Sequence, residues 1–171
     1  IFALMFLLRG IPFVDLAYLR KADIQGNTLK YRRRKTGRLL TVMLTPDAIK
    51  LIRIVAKTKP ESPYLFPFLS SPEGTEAAYH EYQSSLRMFN YRLSRLKKYM
   101  KTAAHLSSYT IRHTWATMAY YCEIHPGIIS EAMGHSSIKV TETYLKPFQN
   151  EKIDNANSQV ISYVKEYASI V

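Results

Sequence analysis

The feature that most constrains the fold is an apolar pattern with helical spacing between Glu76 and about Met100. Apolar side chains recur there at steps of three and four residues, at Tyr82, Leu86, Phe89, Leu93 and Leu96. This is the period of an amphipathic α-helix, and the arginines and lysines between the apolar positions predict a basic exposed face. A long helix that must bury one side against other elements favours a mainly helical domain.

The rest of the chain predicts shorter helices and one small β element. Apolar spacing and capping residues predict helices over residues 2–8, 12–19, 45–57, 108–121, 126–133, 138–145 and 150–167. Residues 28–34 and 39–44 are alternating or β-branched, and the Lys-Thr-Gly-Arg segment between them predicts a hairpin turn. The proline-containing stretch 59–74 predicts a loop with one short extended piece at 64–68. The predicted class is mainly α with a small antiparallel β-hairpin or sheet.

The charge balance indicates a polyanionic partner. The chain has 171 residues, with 24 Lys and Arg against 13 Asp and Glu and a net charge of +11. This length suits one domain, and the positive excess predicts contact with nucleic acid or an anionic membrane surface. A membrane span is excluded because no apolar run approaches the roughly 20 residues that one needs, and Arg9 interrupts the first such run.

The single cysteine and the first residues bear on the setting of the protein. Cys122 alone allows no internal disulfide and no CxxC metal site, so we expect a reducing bacterial cytoplasm. The chain opens on an apolar run without a preceding basic stretch, which is not the order of a secretory signal. It starts inside a predicted helix and without Met, so we expect a fragment of a longer protein.

Two motifs in the second half of the chain have the residue types that phosphoryl transfer needs. One is Ser-Ser-Tyr-Thr-Ile-Arg-His-Thr-Trp-Ala-Thr, from Ser107 to Thr117, and the other is Gly-His-Ser-Ser-Ile-Lys-Val-Thr-Glu-Thr-Tyr, from Gly134 to Tyr144. Cleaving a phosphodiester without a metal requires a nucleophile, positive charge on the non-bridging oxygens and a proton donor for the leaving oxygen. A tyrosine can attack phosphorus, and a guanidinium binds two phosphate oxygens at once.

Together with Arg9 and Lys35, these motifs resemble the catalytic residues of the tyrosine recombinases, or phage integrases, which cut and rejoin DNA. The resemblance implies the DNA breaking-rejoining catalytic fold over residues 1–171, with the separate N-terminal core-binding domain of the family missing from this stretch. It implies site-specific recombination or integration by metal-independent transesterification, through a covalent 3′-phosphotyrosine and with no cofactor. The implied partner is double-stranded DNA, bound by a homotetramer of the full-length protein, whereas the fragment alone is expected to be a monomer.

The resemblance also implies a role for each matching residue. Tyr144 is the nucleophile, since it stands nine residues after the histidine of the Gly-His pair. Arg9 and Arg112 hold the phosphate oxygens. Lys35 on the hairpin is the general acid for the leaving 5′ oxygen, and His135 donates a hydrogen bond to the scissile phosphate. Simpler roles remain open for Arg9, as a cation at a helix C-terminus, and for Lys35, as a solvated or phosphate-contacting lysine.

One catalytic position departs from the family pattern. Most members have His, and some Lys, three residues before the second arginine, where this chain has Tyr109. A phenol can donate or accept a hydrogen bond but is not a base at neutral pH. The form resembles recombinases of mobile elements from Bacteroidetes-type bacteria, and it leaves open which group accepts the proton of the nucleophile. His105 is not expected to replace the missing imidazole, and His113 is expected to support the site without reacting.

Two further surfaces are predicted. Phosphate contacts by the hairpin and the long helix are expected from Arg32, Arg33, Arg34, Arg38, Arg87, Arg92, Arg95, Lys97 and Lys98. The segment 150–171 has an apolar stripe at Ile153, Ala156, Val160, Val164 and Tyr167. This helix either packs on its own domain or, as the family implies, docks in trans on a neighbouring protomer.

Three other functions remain open. A relative that only binds DNA is the first, because Tyr109 departs from the pattern. A type IB topoisomerase is the second, although the Gly-His-Ser-Ser motif and the short hairpin resemble integrases more closely. A basic helical interaction module is the third, and it would require the catalytic-type residues to occur in the family order by coincidence.

Overall fold

The computed structural model describes residues 1–100, 106–145 and 148–168, with residues 167 and 168 described by their backbone alone. The elements in chain order are α1 (Phe2–Leu7), α2 (Phe13–Ala17), a 3₁₀ turn (Lys21–Asp23), β1 (Ile24–Gln25), β2 (Thr28–Arg32), β3 (Leu39–Met43), α3 (Pro46–Val55), α4 (Glu76–Tyr99), α5 (Thr110–Tyr121), α6 (Pro126–Met133), α7 (Ile138–Glu142) and α8 (Asn150–Ala168). The predicted class, mainly α with a small antiparallel sheet, is confirmed.

The sheet is a three-stranded antiparallel meander in the order β1-β2-β3. Strands β2 and β3 pair from Thr28 opposite Met43 to Arg32 opposite Leu39. Leu29, Tyr31, Leu40 and Val42 are buried while their neighbours are exposed, as expected for a sheet with one face on a core. The two-residue strand β1 was not predicted, because so short an edge strand has no alternating pattern of its own.

The core consists of two groups of buried side chains. The larger group joins α1, α2, the inner face of the sheet, α3 and the loop around Phe66, and the aromatic residues of α4 pack against it. The smaller group joins α5 and α6 and includes Tyr144. The seam between the two groups is where α5 meets the α1–α2 junction and the end of α6.

Several predicted boundaries were wrong, and two of them matter for the site. Helix α7 ends at Glu142, so Tyr144 follows the helix and does not lie on it. Helix α5 begins at Thr110, so Tyr109 is its N-cap residue and precedes the helical face that was predicted for it. Pro12 is likewise the N-cap of α2 and not a residue of its first turn. Among the described helices, none combines the length and apolar character that crossing a membrane requires.

Candidate active site

Arg112 is the buried centre of the candidate site. It lies in the first turn of α5 and is only 2% exposed. Its Nη1 donates to the carbonyl of Gly10 at 3.0 Å and its Nη2 donates to the carbonyl of Met133 at 2.6 Å. The guanidinium therefore ties the α1–α2 junction and the end of α6 to α5. Within the part of the chain that the structure describes, its Nε has no hydrogen-bond partner.

Gly10 makes this close approach possible. Its φ is +66°, and a Cβ atom built there would lie 3.0 Å from the Arg112 Cα and 3.2 Å from the Trp115 Cβ. Arg9, just before it, also has a left-handed φ of +60°, which is uncommon for a residue with a side chain. Two consecutive left-handed residues end α1 abruptly, so that the chain turns back across α5.

His135 lies beside the Arg112 guanidinium at the end of α6. The helix stops at Gly134, which adopts the left-handed conformation with φ +65°, and the next side chain turns inward. His135 is 4% exposed, and its Nδ1 lies 2.8 Å from the Thr141 hydroxyl oxygen. Its Nε2 is buried and has no partner among the described residues. When the Thr141 hydroxyl donates to Nδ1, the Nε2 atom carries the proton and is a free donor.

Burial and neighbouring cations keep this imidazole neutral. Burial lowers the pKa of His135 to about 4, and the positive charges of Arg112, Arg33 and Lys35 add to the effect. Burial also lowers the pKa of Arg112, with a further contribution from Arg33. The site is therefore a concentrated positive region, which suits a ligand with negative charge.

Tyr144 is held next to both groups by its backbone and by its ring. Its N–H donates to the Thr141 carbonyl at 2.9 Å, and its carbonyl accepts from the Thr117 hydroxyl at 3.2 Å. The ring centroid lies 4.4 Å from that of His113 and 5.3 Å from that of His135. The residue is 8% exposed, so three neighbouring elements fix the position of the phenol.

The Tyr144 hydroxyl is hydrogen-bonded to the Tyr109 hydroxyl. Burial raises the pKa of Tyr144, the hydrogen bond and charge of Tyr109 raise it further, and the Arg112 guanidinium opposes the shift. Tyr144 is therefore a neutral phenol at pH 7. The ring of His113 stands edge-on to that of Tyr109, with the centroids 5.1 Å apart. Burial lowers the pKa of His113, and the positive charge of Arg112 lowers it further.

The β2–β3 hairpin packs directly on this site. The Thr36 hydroxyl donates to the Gly134 carbonyl at 3.2 Å, and Arg38 Nη1 donates to the His135 carbonyl at 3.1 Å. Leu40 fills the space next to Gly134, where a Cβ atom would meet its Cδ1 at 3.0 Å. Lys35 is exposed on the turn between these contacts, and its charge contributes to the lowered pKa of His135.

Asp15 and Glu73 support the hairpin, and the sequence did not reveal either of them. Asp15 is 2% exposed, pairs with Arg33 Nη1 at 2.7 Å and accepts from the Arg34 backbone N–H at 2.9 Å. Glu73 pairs with the Arg34 guanidinium and with Arg20 Nη2, the latter at 2.6 Å. The one available signal was Asp15, an acidic residue in the otherwise apolar helix α2. A carboxylate is rarely buried without a partner, so its position predicts a nearby cation.

The structure corrects one predicted DNA contact. The sequence predicts that Arg33 contacts DNA with the other basic residues of the hairpin, but it is only 6% exposed and is paired with Asp15. Its Nε donates to the Met133 carbonyl at 3.3 Å. It therefore acts inside the fold, where it raises the positive potential around Arg112 and His135.

The other predicted basic residues lie on the surface. Arg32, Arg34 and Arg38 are exposed on the hairpin, although Arg34 is paired with Glu73. On α4 the exposed or half-buried cations are Arg87, Arg92, Arg95, Lys97 and Lys98. The side-chain oxygen of Asn90 on α4 accepts the Ser108 N–H at 2.8 Å, which joins this helix to the residue before Tyr109. The basic helix is thus attached to the edge of the site.

Arg9 is the predicted site residue that the structure leaves at the margin. Its Nη1 donates to the Thr41 carbonyl on β3 at 3.2 Å, and its side chain lines a cavity of ≈ 380 Å³ with Arg38 and Glu131. Among the described residues, the Arg9 side chain makes no hydrogen bond to Tyr144 or to the cluster of Arg112, His135 and Tyr109 around it. His105 lies outside the described residues.

Sequence comparison places this arrangement in a family. The family model described as "Phage integrase family" matches residues 3–151, which is most of the chain. The chain belongs to the phage integrase family. No curated protein sequence matches this phage integrase significantly.

Solved structures show the same fold at low sequence identity. A XerA recombinase superposes on this phage integrase with a TM-score of 0.61 at 18% identity, covering 91% of this chain and 53% of that one. The Tn1549 transposon integrase in complex with circular intermediate DNA gives a TM-score of 0.63 at 18% identity, covering 93% and 59%. A lambda integrase dimer bound to a core site gives 0.57 at 17% identity, covering 84% and 50%. The chain thus spans somewhat more than half the length of the first two.

Proposed function

We propose that this domain is the catalytic part of a site-specific tyrosine recombinase or integrase. It cuts and rejoins double-stranded DNA by transesterification, with Tyr144 forming a covalent 3′-phosphotyrosine. The observation that supports this best is a pair of buried nitrogens, Arg112 Nε and His135 Nε2, which have no hydrogen-bond partner among the described residues and lie in the cluster that holds the Tyr144 phenol. Buried donors without partners are costly in a folded protein, and a phosphate group would satisfy them.

The charges around Tyr144 suit a phosphodiester in its transition state. Arg112 and Arg33 supply permanent positive charge, and the neutral His135 supplies a directed donor. A pentacoordinate phosphorus has more negative charge on its non-bridging oxygens than the ground state, so these groups stabilise it preferentially. We propose the same role for Arg9, which moves from the Thr41 carbonyl to a phosphate oxygen when DNA binds.

Lys35 is our candidate for the general acid. The leaving 5′ oxygen needs a proton, and an ammonium on an exposed turn can reach a group that enters the site from solvent. Asp15 binds the Arg34 backbone N–H before the turn, and the side chains of Thr36 and Arg38 bond to the carbonyls of residues 134 and 135 after it. The lysine is therefore mobile at its tip and anchored at its base.

Duplex DNA is the proposed partner, held by the exposed cations of the hairpin and of α4. Such contacts go to phosphates and are largely independent of sequence. Helix α8 exposes every residue whose side chain is described, including Ile153, Val160 and Val164 of its predicted apolar stripe, whereas the side chain of Tyr167 lies outside the described residues. Lys152, near the start of α8, bonds to the Tyr121 carbonyl and pairs with Glu123 at 3.0 Å, and we propose that a second copy covers the exposed stripe in an assembly on DNA.

The test of the proposed function is trapping of the covalent intermediate. Nicked suicide duplexes with randomised core sequence lose a short leaving strand after cleavage, so the protein–DNA adduct accumulates on a denaturing gel. We expect an adduct with the wild type and with Tyr121→Phe, an exposed tyrosine at the far end of α5, and none with Tyr144→Phe. Equal adduct from Tyr144→Phe would refute the proposal, and binding without any adduct would favour a relative that only binds DNA.

The same reaction distinguishes a recombinase from a type IB topoisomerase. A topoisomerase relaxes supercoiled plasmid of any sequence in a single-protein reaction. The recombinase account predicts instead that adducts are enriched for particular core sequences when the trapped strands are sequenced. Rapid relaxation without sequence enrichment would support the topoisomerase alternative.

A further inference from the structure

The Tyr109 hydroxyl occupies the place where the nucleophile must lose its proton. It is hydrogen-bonded to the Tyr144 hydroxyl, and Tyr109 is itself 51% exposed, so this residue lies between the buried phenol and solvent. Tyr109 is the N-cap residue of α5, three residues before Arg112. The residue type at this position therefore determines which group the nucleophile meets first.

The local structure holds Tyr109 in this orientation before any DNA is present. The Ser107 hydroxyl accepts its N–H at 3.3 Å, and the neighbouring Ser108 N–H is bound to Asn90 on α4 at 2.8 Å. Its ring stands against that of His113 one turn later in α5. A fixed acceptor loses little entropy when proton transfer occurs, which is what an effective proton-transfer group needs.

The two imidazoles near Tyr144 are placed for other tasks. His135 has its Nδ1 on Thr141, and its Nε2 is the donor that we assign to phosphate. His113 contacts Tyr144 through its ring, with the centroids 4.4 Å apart and the planes inclined by 39°. The Tyr144 hydroxyl is hydrogen-bonded to the Tyr109 hydroxyl, and its other polar neighbour, the Arg112 guanidinium, has no atom that can accept a proton.

We propose that Tyr109 relays the proton of the nucleophile to solvent, an inference that rests on the proposed recombinase function. As the Tyr144 oxygen bonds to phosphorus, its proton passes to the Tyr109 oxygen, and the Tyr109 proton passes to solvent water. The bond between phosphorus and the 5′ oxygen breaks in the same step, and that oxygen takes a proton from Lys35. In the rejoining step the same protons move in reverse.

The surrounding charges favour this transfer. Arg112 on α5 and Arg33 and Lys35 on the hairpin are positive, while His113 and His135 are neutral at pH 7 because burial lowers the pKa of each. Burial and the hydrogen bond to Tyr109 raise the pKa of Tyr144 while Arg112 lowers it, so the phenol keeps its proton until attack begins, and Arg112 then stabilises the negative charge that develops on its oxygen. A phenol relay needs no protonated partner, so its rate should not depend on an imidazole titration near neutrality.

The test measures single-turnover cleavage of the suicide duplex that forms the wild-type adduct. We expect Tyr109→Phe to bind DNA like the wild type and to cleave about 100-fold more slowly. Tyr109→His should recover most of the rate, and its rate should fall as the pH drops below about 6.5, since an imidazole then becomes protonated. Tyr121→Phe is the control and should cleave at the wild-type rate.

A modified substrate separates the relay from the general acid. A 5′-bridging phosphorothiolate has a sulfur leaving group that needs no protonation, so it should restore cleavage by Lys35→Ala and leave the Tyr109→Phe defect in place. The relay would be overturned if Tyr109→Phe cleaved within twofold of the wild-type rate. It would also be overturned if the phosphorothiolate substrate restored cleavage by Tyr109→Phe. If His113→Gln lost cleavage while Tyr109→Phe did not, the proton acceptor would be His113, and the Tyr109 relay would again be overturned. In each of these cases the Tyr144 adduct still forms, so the proposed function survives, whereas absence of the wild-type adduct overturns both.

Discussion

At the scale of single residues, the site is built around groups that are buried at a cost. A buried donor without a partner costs about 1–3 kcal/mol, and Arg112 and His135 each have a buried nitrogen that no other described residue bonds. Arg9 adds a left-handed backbone conformation, which costs a residue with a side chain roughly 1–2 kcal/mol. Unfavourable features of this kind tend to collect where a protein binds and acts, and here Arg112 and His135 both lie beside the Tyr144 phenol.

The buried imidazole of His135 should make stability depend on pH. In the unfolded chain it titrates near 6.5, whereas in the fold its pKa is lowered to about 4. Between these values the unfolded state binds more protons, so the free energy of unfolding should fall as the pH decreases from 6.5 to 4, by up to about 3 kcal/mol. Urea denaturation at a series of pH values measures this change.

The controls for that experiment are two glutamine variants. His135→Gln should lose this part of the pH dependence, because its side chain does not titrate. His80→Gln alters an exposed histidine on α4 and should keep the wild-type dependence. Identical slopes for wild type and His135→Gln would show that this imidazole does not titrate as described.

The residues of the candidate site could be predicted from the sequence, whereas the residues that support them could not. Tyr144, His135 and Arg112 lie in two short motifs, and the structure brings them together as those motifs imply. Asp15 and Arg33 are separated by 18 residues, and their partnership depends on how α2 meets the hairpin. The burial of Arg33 was missed for the same reason, since its sequence neighbours are all exposed cations.

At the scale of elements, the α1–α2 junction should tolerate no side chain at position 10. A Gly10→Ala side chain would meet the backbone of α5, which cannot rotate away. Gly26 has a similar left-handed φ, but no atom lies within 4 Å of a Cβ atom there. Gly26→Ala should cost about 1–2 kcal/mol from backbone strain alone, and Gly10→Ala should cost clearly more. Equal losses in urea denaturation would show that α5 is not packed against this turn.

The hairpin should depend on a single buried carboxylate. Asp15→Asn keeps the shape of the side chain but leaves the Arg33 guanidinium buried without its counter-charge, which should cost about 3–5 kcal/mol of unfolding free energy. Asp154→Asn on exposed α8 is the matched control and should change stability by less than about 0.5 kcal/mol. A loss for Asp15→Asn as small as the control's would contradict the described pairing.

Helix prediction was most reliable where capping residues and period agreed. The bounds of α6 match the prediction fully, and Thr45 and Thr75 cap α3 and α4 through their hydroxyls as such residues do. The start of α5 and the end of α7 were wrong by a few residues, and at these two places Tyr109 and Tyr144 are hydrogen-bonded to each other through their hydroxyls. The sequence has no local signal for a contact between residues so far apart.

At the scale of the whole molecule, the net charge of +11 should dominate DNA affinity. The logarithm of the binding constant for a non-specific duplex should fall linearly with the logarithm of salt concentration, by about 0.9 for each phosphate contacted. Arg92→Ala or Arg95→Ala on α4 should each reduce this slope by about 1. Lys50→Ala, an exposed cation on α3, should leave it unchanged, and an equal effect there would remove α4 from the proposed interface.

The measurement that tests the account most directly is the identity of the residue attached to DNA. The trapped adduct is digested with protease and nuclease, and the peptide that retains a nucleotide is sequenced by mass spectrometry. The account predicts a 3′-nucleotide on Tyr144. A nucleotide on Tyr109, whose hydroxyl is the hydrogen-bond partner of Tyr144, or on any other residue would contradict it.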